Sequence, residues 1–208
     1  MKLKQLASAT VAMTTVLAFS AQSSAQTPPP LTGPVIPGIC VYNQERAVAT
    51  SAAGKVLIQR LTEINAQVTS ELQPEAVQLQ ADQKTLQAQR ATLTQAQFQT
   101  KDSAFETRVQ AFQRKTQLRD AQLQLTKGKA ERQIQITEVP IAREVFLQRG
   151  CSVLINSQAL LGFVPGADIT DAVIAGTNSK LPSVTVELVT EQEALQAIQQ
   201  QQQQQQGR

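Results

Sequence analysis

Apolar residues recur at helical spacing through the middle of this chain, from about Glu45 to Arg149. That stretch is rich in Gln, Ala, Leu and Lys or Arg, and no glycine interrupts it between Gly54 and Gly128. Such a composition predicts long helices instead of a pocketed globule. Leu79, Leu86 and Leu93 recur every seven residues, and so do Phe98, Phe105 and Phe112. If the chain turns near Gln95 and returns antiparallel, facing positions have numbers that sum to a constant. Leu93 with Phe98, Leu86 with Phe105, Leu79 with Phe112, Val68 with Leu123 and Leu57 with Ile134 all sum to 191. The pattern predicts a zipper-like seam between two arms of about 45 residues, each roughly 65–70 Å long. Its tip falls at 91–97, where Thr94 is placed to cap the second helix. Pro74 and Pro140 are expected to bend the arm. The three phenylalanines allow a second reading, as exposed sticky contacts, but their pairing with leucines favours the seam.

The pattern changes at both ends of this arm. Ile39-Cys40-Val41-Tyr42-Asn43 is a short β-type run. Cys151-Ser152-Val153-Leu154-Ile155 and Leu160-Leu161-Gly162-Phe163-Val164 predict two strands about a turn at Asn156-Ser157-Gln158. Asp168-Ile169-Thr170-Asp171 then opens a short helix, with Asp168 or Thr170 as candidate cap. Val184-Thr185-Val186 is a candidate further strand. The tail 199–206 is polyglutamine and carries no packing signal. The fold class expected is therefore mainly α with a small β body (α+β), a long antiparallel helical hairpin projecting from a short-stranded sheet.

The N-terminus changes where this protein is expected to work. Met1 to Lys4 is basic, 6–20 is apolar or small, and Ser23-Ser24-Ala25 offers a small-x-small cleavage pattern. A signal peptide over 1–25, cleaved after Ala25, leaves 183 of the 208 residues as an exported chain. Residues 26–38 hold five prolines and read as a stiff, disordered leader. The domain plan is then body at 39–44 and 150–190, arm at 45–149, and a Gln-rich tail at 191–208. Export permits a disulfide between Cys40 and Cys151; buried free thiols are the alternative.

Charge is uneven. Between Lys84 and Gln135 ten basic residues stand against Asp102, Glu106, Asp120 and Glu131. A lopsided field of this kind steers acidic partners or anionic lipid surfaces, although a solvated helix also carries charge without a partner. There is no histidine, so no Cys–His pair. Gly54-Lys55 lacks the other residues of a P-loop, and no His/Cys/carboxylate cluster suggests a metal. An enzyme is disfavoured and no cofactor is expected. Few aromatics and a near-neutral mature charge also oppose nucleic-acid binding.

The two ends carry a family resemblance. Ile39-Cys40-Val41-Tyr42-Asn43-Gln44-Glu45-Arg46-Ala47-Val48, followed by Ser51-Ala52-Ala53-Gly54-Lys55, resembles the opening of the Skp/OmpH family of periplasmic chaperones. Residues 150–163, followed by Asp168-Ile169-Thr170-Asp171-Ala172-Val173, resemble its closing strand pair and helix. Ala91-Thr92-Leu93-Thr94 is similar to its helix-to-helix tip. The resemblance covers about 39–178. Four residues separate Val41 from Arg46 where the family has three, and the leader, both cysteines and the tail are additions.

That resemblance implies a homotrimer, with strands of three chains closing a small β-barrel and three hairpins enclosing a cavity. It implies a periplasmic, ATP-independent holdase for unfolded outer-membrane β-barrel proteins. Lys84, Arg90, Lys101, Arg108, Arg114, Lys115 and Arg119 are the candidate client-contact residues. The alternative is a structural coiled-coil adaptor of the cell envelope.

Overall fold

Two short apolar runs far apart in sequence come together at the base of the molecule. A computed structural model describes residues 31–206; the expected signal peptide and residues 26–30 of the leader lie outside them. Strand β1 (Ile39–Tyr42) pairs in parallel with β2 (Val153–Asn156), Ile39 opposite Val153 and Tyr42 opposite Asn156. Parallel strands require a long crossover. Here the whole helical arm is that crossover.

The arm starts with a break that the sequence pattern did not separate. Helix α1 (Gln44–Thr50) is capped by Asn43, whose side chain accepts the Arg46 N–H at 2.8 Å. It ends at Ser51, which caps α2 (Ala52–Gln89) by accepting the Gly54 N–H at 3.0 Å. Gly54 is required at this junction because a Cβ there would overlap the Val48 carbonyl. The stretch expected as one run from residue 45 is therefore two helices.

At the tip, Thr94 caps α3 (Gln95–Gln148). Its hydroxyl accepts the Gln97 N–H at 3.3 Å, and the Gln97 side chain accepts the Thr94 N–H at 3.1 Å. This reciprocal box satisfies two otherwise unpaired donors. Pro74 and Pro140 sit inside α2 and α3, and both helices run on through them. Helix α3 ends in a left-handed Gly150, φ +65°. The Gly150 N–H donates to the Leu147 carbonyl and the Cys151 N–H to Phe146, the paired bonds that close a helix C-terminus. This turn delivers Cys151 to Cys40, with which it forms a disulfide across 5.8 Å between Cα atoms.

Two expectations for the β body need correction. Leu160 to Val164 forms no strand. The Asn156 side chain accepts the Gln158 N–H at 3.0 Å, and a 3-10 turn at Ser157–Ala159 leads the chain out of the sheet. The segment instead lies against residues 31–35, with Leu31 over Gly162 and Val35 over Gly166. The leader's described part, 31–38, has no helix or strand but is packed there instead of standing free. Val184 to Val186 is not in a strand: its burial alternates as in an extended chain, but it lies on helices instead of a sheet.

Helix α4 (Thr170–Lys180) follows a turn in which the Asp168 carboxylate accepts the Thr170 N–H at 2.8 Å. The extended segment 184–189, here called the strap, leads to α5 (Glu191–Gln206). Two cores result. One, at the lower arm, gathers Leu57, Ile64, Val68, Ala130 and Ile134 with Val184 and Val186. The other, at the base, gathers Cys40, Cys151, Ile141, Val145, Ile169 and Val173.

Candidate functional site

The arm is the only large surface the fold projects among the described residues, so its faces are where function is to be sought. The seam predicted by the sum rule runs along its length. Leu57 and Ile134 are buried, Val68 is buried with Leu123 packed against it, and Leu79 is the last buried residue before the tip. Beyond it Leu86, Leu93, Phe98, Phe105 and Phe112 are only half-buried. Two helices touch along one line, so a ring inserted there keeps one side open to water.

The seven basic residues proposed as client contacts are scattered over this distal half. Lys84 and Arg114 are exposed, and among the described residues neither enters an ion pair. Arg90 lies over the Phe98 ring, 5.5 Å from its centroid, within cation–π range. Lys101 donates to the Gln89 side chain at 2.8 Å. Arg108 pairs with Asp82 across the hairpin. Lys115 pairs with Glu75 at 3.2 Å and with Glu71 at 3.7 Å. Arg119 joins Glu71 at 2.8 Å to Glu191 of α5 at 3.0 Å. Hydrogen bonding to Arg119 holds the Glu71 carboxyl below its ordinary range, and Gln78 and Arg108 do the same for Asp82. Three of the seven cations are thus already neutralised within the hairpin or by α5.

Sequence reasoning passed over two residues that the structure makes prominent. Gln122 and Thr126 are buried polar side chains midway along α3. Gln122 Nε2 donates to the Val189 carbonyl at 2.5 Å, and Thr126 Oγ1 accepts the Val189 N–H at 3.0 Å. Arg60 Nε donates to the Val186 carbonyl at 3.4 Å. The partner of all three is the strap's backbone. Signals for the strap that the sequence reading left unused are the continuation of Val184 and Val186 to Leu188 and the helix-start spacing Thr190-x-x-Glu193. Their reciprocal bonds, at 3.2 and 3.3 Å, open α5.

A third overlooked residue lies at the base. Glu138 is 1% exposed, and neither its carboxylate oxygens nor the Tyr42 hydroxyl beside it has a well-formed hydrogen bond among the described residues. Burial pushes the Glu138 carboxyl up, opposed in part by the Tyr42 phenol. Burial, and then the neighbouring Glu138, raise the Tyr42 phenol in turn. Both line a cavity of about 330 Å³ with Val139, Ala142, Phe146 and Leu154. No group of three or more His, Cys, Asp or Glu able to hold a metal exists among the described residues.

The two ends that carried the resemblance meet in space. Arg46 pairs with Asp168 at 2.9 Å and with Asp171 at 2.7 Å. The Asn43 N–H donates to Thr170 Oγ1 at 3.0 Å, and the Ala52 N–H donates to the Asn178 side chain at 2.6 Å. The opening and closing motifs are halves of one joint that holds the arm to the base. The model of the outer membrane protein (OmpH-like) family matches residues 38–176, from just before β1 into α4. The chain belongs to the OmpH-like family. A crystal structure of a candidate outer membrane chaperone (OmpH-like) from Caulobacter crescentus shares the fold. It is 32% identical with a TM-score of 0.61, over 76% of this chain and 94% of that one. Among curated protein sequences none matches significantly. The match to the OmpH-like model ends inside α4, so the strap and α5 lie beyond it. No helix among the described residues of this OmpH-like chain is long and apolar enough to cross a membrane.

Proposed function

We propose that this chain is an ATP-independent periplasmic holdase. It binds unfolded outer-membrane proteins between helical arms and keeps them from aggregating in transit. Membership of the OmpH-like family supports the reading. The observation that carries it is the distal half of the arm, where half-buried phenylalanines and leucines are interspersed with Lys84, Arg90, Lys101 and Arg114. Such a surface offers many weak contacts and long-range attraction for an acidic or apolar chain, and no deep pocket. Holding requires no reaction, so the absence of a nucleotide motif in the sequence is consistent with it.

Assembly into a homotrimer is part of the proposal. A two-stranded sheet is marginal by itself. Here β2 has no partner on its outer side among the described residues, and Val153, Leu154 and Leu161 are exposed. Strands of neighbouring copies would cover this edge. The basic arm also suits contact with an anionic lipid surface.

The test uses the mature chain from Gln26 onward. An outer-membrane barrel protein is diluted from urea without ATP while light scattering is followed. Suppressed scattering at about one client per three chains is the expected result. Undiminished scattering across a wide excess would sink the holdase reading and favour the envelope adaptor.

A further inference from the structure

The strap occupies its groove in a manner that identifies the groove. Over 184–188 its apolar side chains alternate, Val184 and Val186 buried in the lower-arm core and Leu188 packed against it, while Thr185 and Glu187 face water; Val189, next in the chain, is buried as well. Its backbone is gripped by Arg60, Gln122 and Thr126 at the carbonyl of Val186 and at both polar groups of Val189. Gln122 and Thr126 are 3% and 2% exposed on a helix face whose other buried positions nearby are apolar. A buried polar side chain is stable only with a partner. The strap backbone takes the Gln122 amide N–H and gives an N–H to Thr126. Beside it, the Gln122 main-chain carbonyl accepts the Thr126 hydroxyl and Arg119 donates to Gln122 Oε1, both at 2.7 Å. These contacts read two things: an exposed main chain, and an apolar residue at every second position. None reads the identity of a side chain.

That is the chemistry of a membrane β-barrel strand before it folds, apolar and polar in alternation with every backbone group unpaired. The strap also lies outside the region that matches the OmpH-like family, whereas the groove lies inside it. It is tethered at both ends. It is reached from α4 through Leu181, Pro182 and Ser183. Its far end is held by Glu191 on the part-buried Arg119, by the fully buried Ala194, and by the exposed pair of Glu193 with Lys129 at 2.7 Å, the last being weak and salt-sensitive. Past Ile198 only glutamines follow within α5.

We propose that the groove between α2 and α3 around Arg60, Gln122 and Thr126 is a binding site for an extended segment with alternating apolar residues. Residues 184–189 fill it in cis as a displaceable stand-in for a client. The site rests on the chaperone reading only for the nature of the incoming chain. Because the strap is tethered, its effective concentration at the groove is high. A single short segment in trans competes poorly, whereas a long unfolded chain offering many such segments displaces it.

The experiment uses the full mature chain, wild type and Val184→Ser/Val186→Ser, with two fluorescent peptides followed by anisotropy. One copies 183–190; the other has its three valines replaced by serine. The double variant is expected to bind the native peptide at least tenfold tighter than wild type does, and the serine peptide is expected to bind neither. Equal affinity for the two peptides, or for the two proteins, overturns the site. Since the variant's lower arm could unfold, hydrogen exchange of the wild type provides the second arm. Adding an outer-membrane barrel protein diluted from urea is expected to raise exchange several-fold across 184–190 while α2 and α3 stay protected. Suppressed scattering with unchanged exchange there leaves the holdase standing and removes this groove. Native-peptide binding without any suppression leaves the groove and removes the holdase.

Discussion

The lower and upper halves of the arm are built on one seam and end in different states. Leu57 with Ile134 and Leu86 with Phe105 obey the same sum, yet the first pair is buried and the second half-exposed. What differs is a third layer. Around Ile64, Val68 and Ala130 the strap lays Val184 and Val186 across the two helices. Among the described residues no segment reaches the tip, and there the hairpin relies on its seam and on pairs such as Asp82 with Arg108. The comparison teaches that a helical hairpin can align its apolar residues but cannot bury them. Full burial of a large apolar side chain contributes about 1.5–3 kcal/mol, and the upper half realises only part of that per residue. The same shortfall leaves apolar surface available to a partner.

The contrast can be broken from the base upward. Replacing Cys40 and Cys151 together by serine opens a closure spanning 111 residues. The loss should be the largest, about 4 kcal/mol, read as a drop in the denaturant midpoint of both halves. Ile134→Ala removes a fully buried side chain from the lower seam and should cost about 3 kcal/mol. Phe105→Ala acts on the same seam above the strap and should cost about 1–2 kcal/mol, since roughly half the burial is lost. Its effect on exchange should stay in the upper arm. Unchanged melting together with lost client capture would show that the ring serves clients instead of the seam.

A pH test addresses the base. Glu138 is buried without good partners and its carboxyl is raised. The folded chain therefore holds this proton more tightly than the unfolded chain does. Stability is lost as pH rises from the ordinary carboxylate range, near 4.3, through the raised value. Glu138→Gln should stabilise by about 1 kcal/mol at pH 7 and by nothing at pH 4, measured as thermal midpoints at both. A loss of stability at pH 7 would mean the carboxylate is paired after all, and an equal gain at both would mean its ionisation is not what costs stability. The smallest effect concerns the strap's outer moorings. Lys129 and Thr190 hold the Glu193 carboxyl below its ordinary range. Those contacts are present at neutral pH and lost as pH falls through that lowered value. Strap exchange should rise modestly on acidification and in 1 M salt, while exchange in the lower seam stays unchanged.

Much of the arm was legible because helical periodicity is a local signal repeated many times. Thr94 marked the tip, and the heptad leucines and phenylalanines marked the seam. The break at Ser51 was not separated, since it depends on the close approach of Gly54 to the Val48 carbonyl. Leu160 to Val164 has strand composition, but the 3-10 turn at Ser157–Ala159 leads it out of the sheet and it lies against residues 31–35 instead. For the candidate site the basic residues could be named in advance. Their pairing could not, because Arg119 meets Glu71 and Glu191 from two other elements. Gln122 and Thr126 read as ordinary helix surface until a chain was found lying on them.

Sequence alone determined the elements whose causes are local: two long helices, their tip and its cap, and the two motifs of the family. Tertiary structure alone decided that those motifs meet through Arg46, Asp168 and Asp171. It also decided that β1 and β2 run parallel, and that a strap beyond the family's matched region closes the lower arm. The reason is physical. Periodicity and capping depend on neighbours a few residues away, whereas burial depends on which distant segment arrives to exclude water.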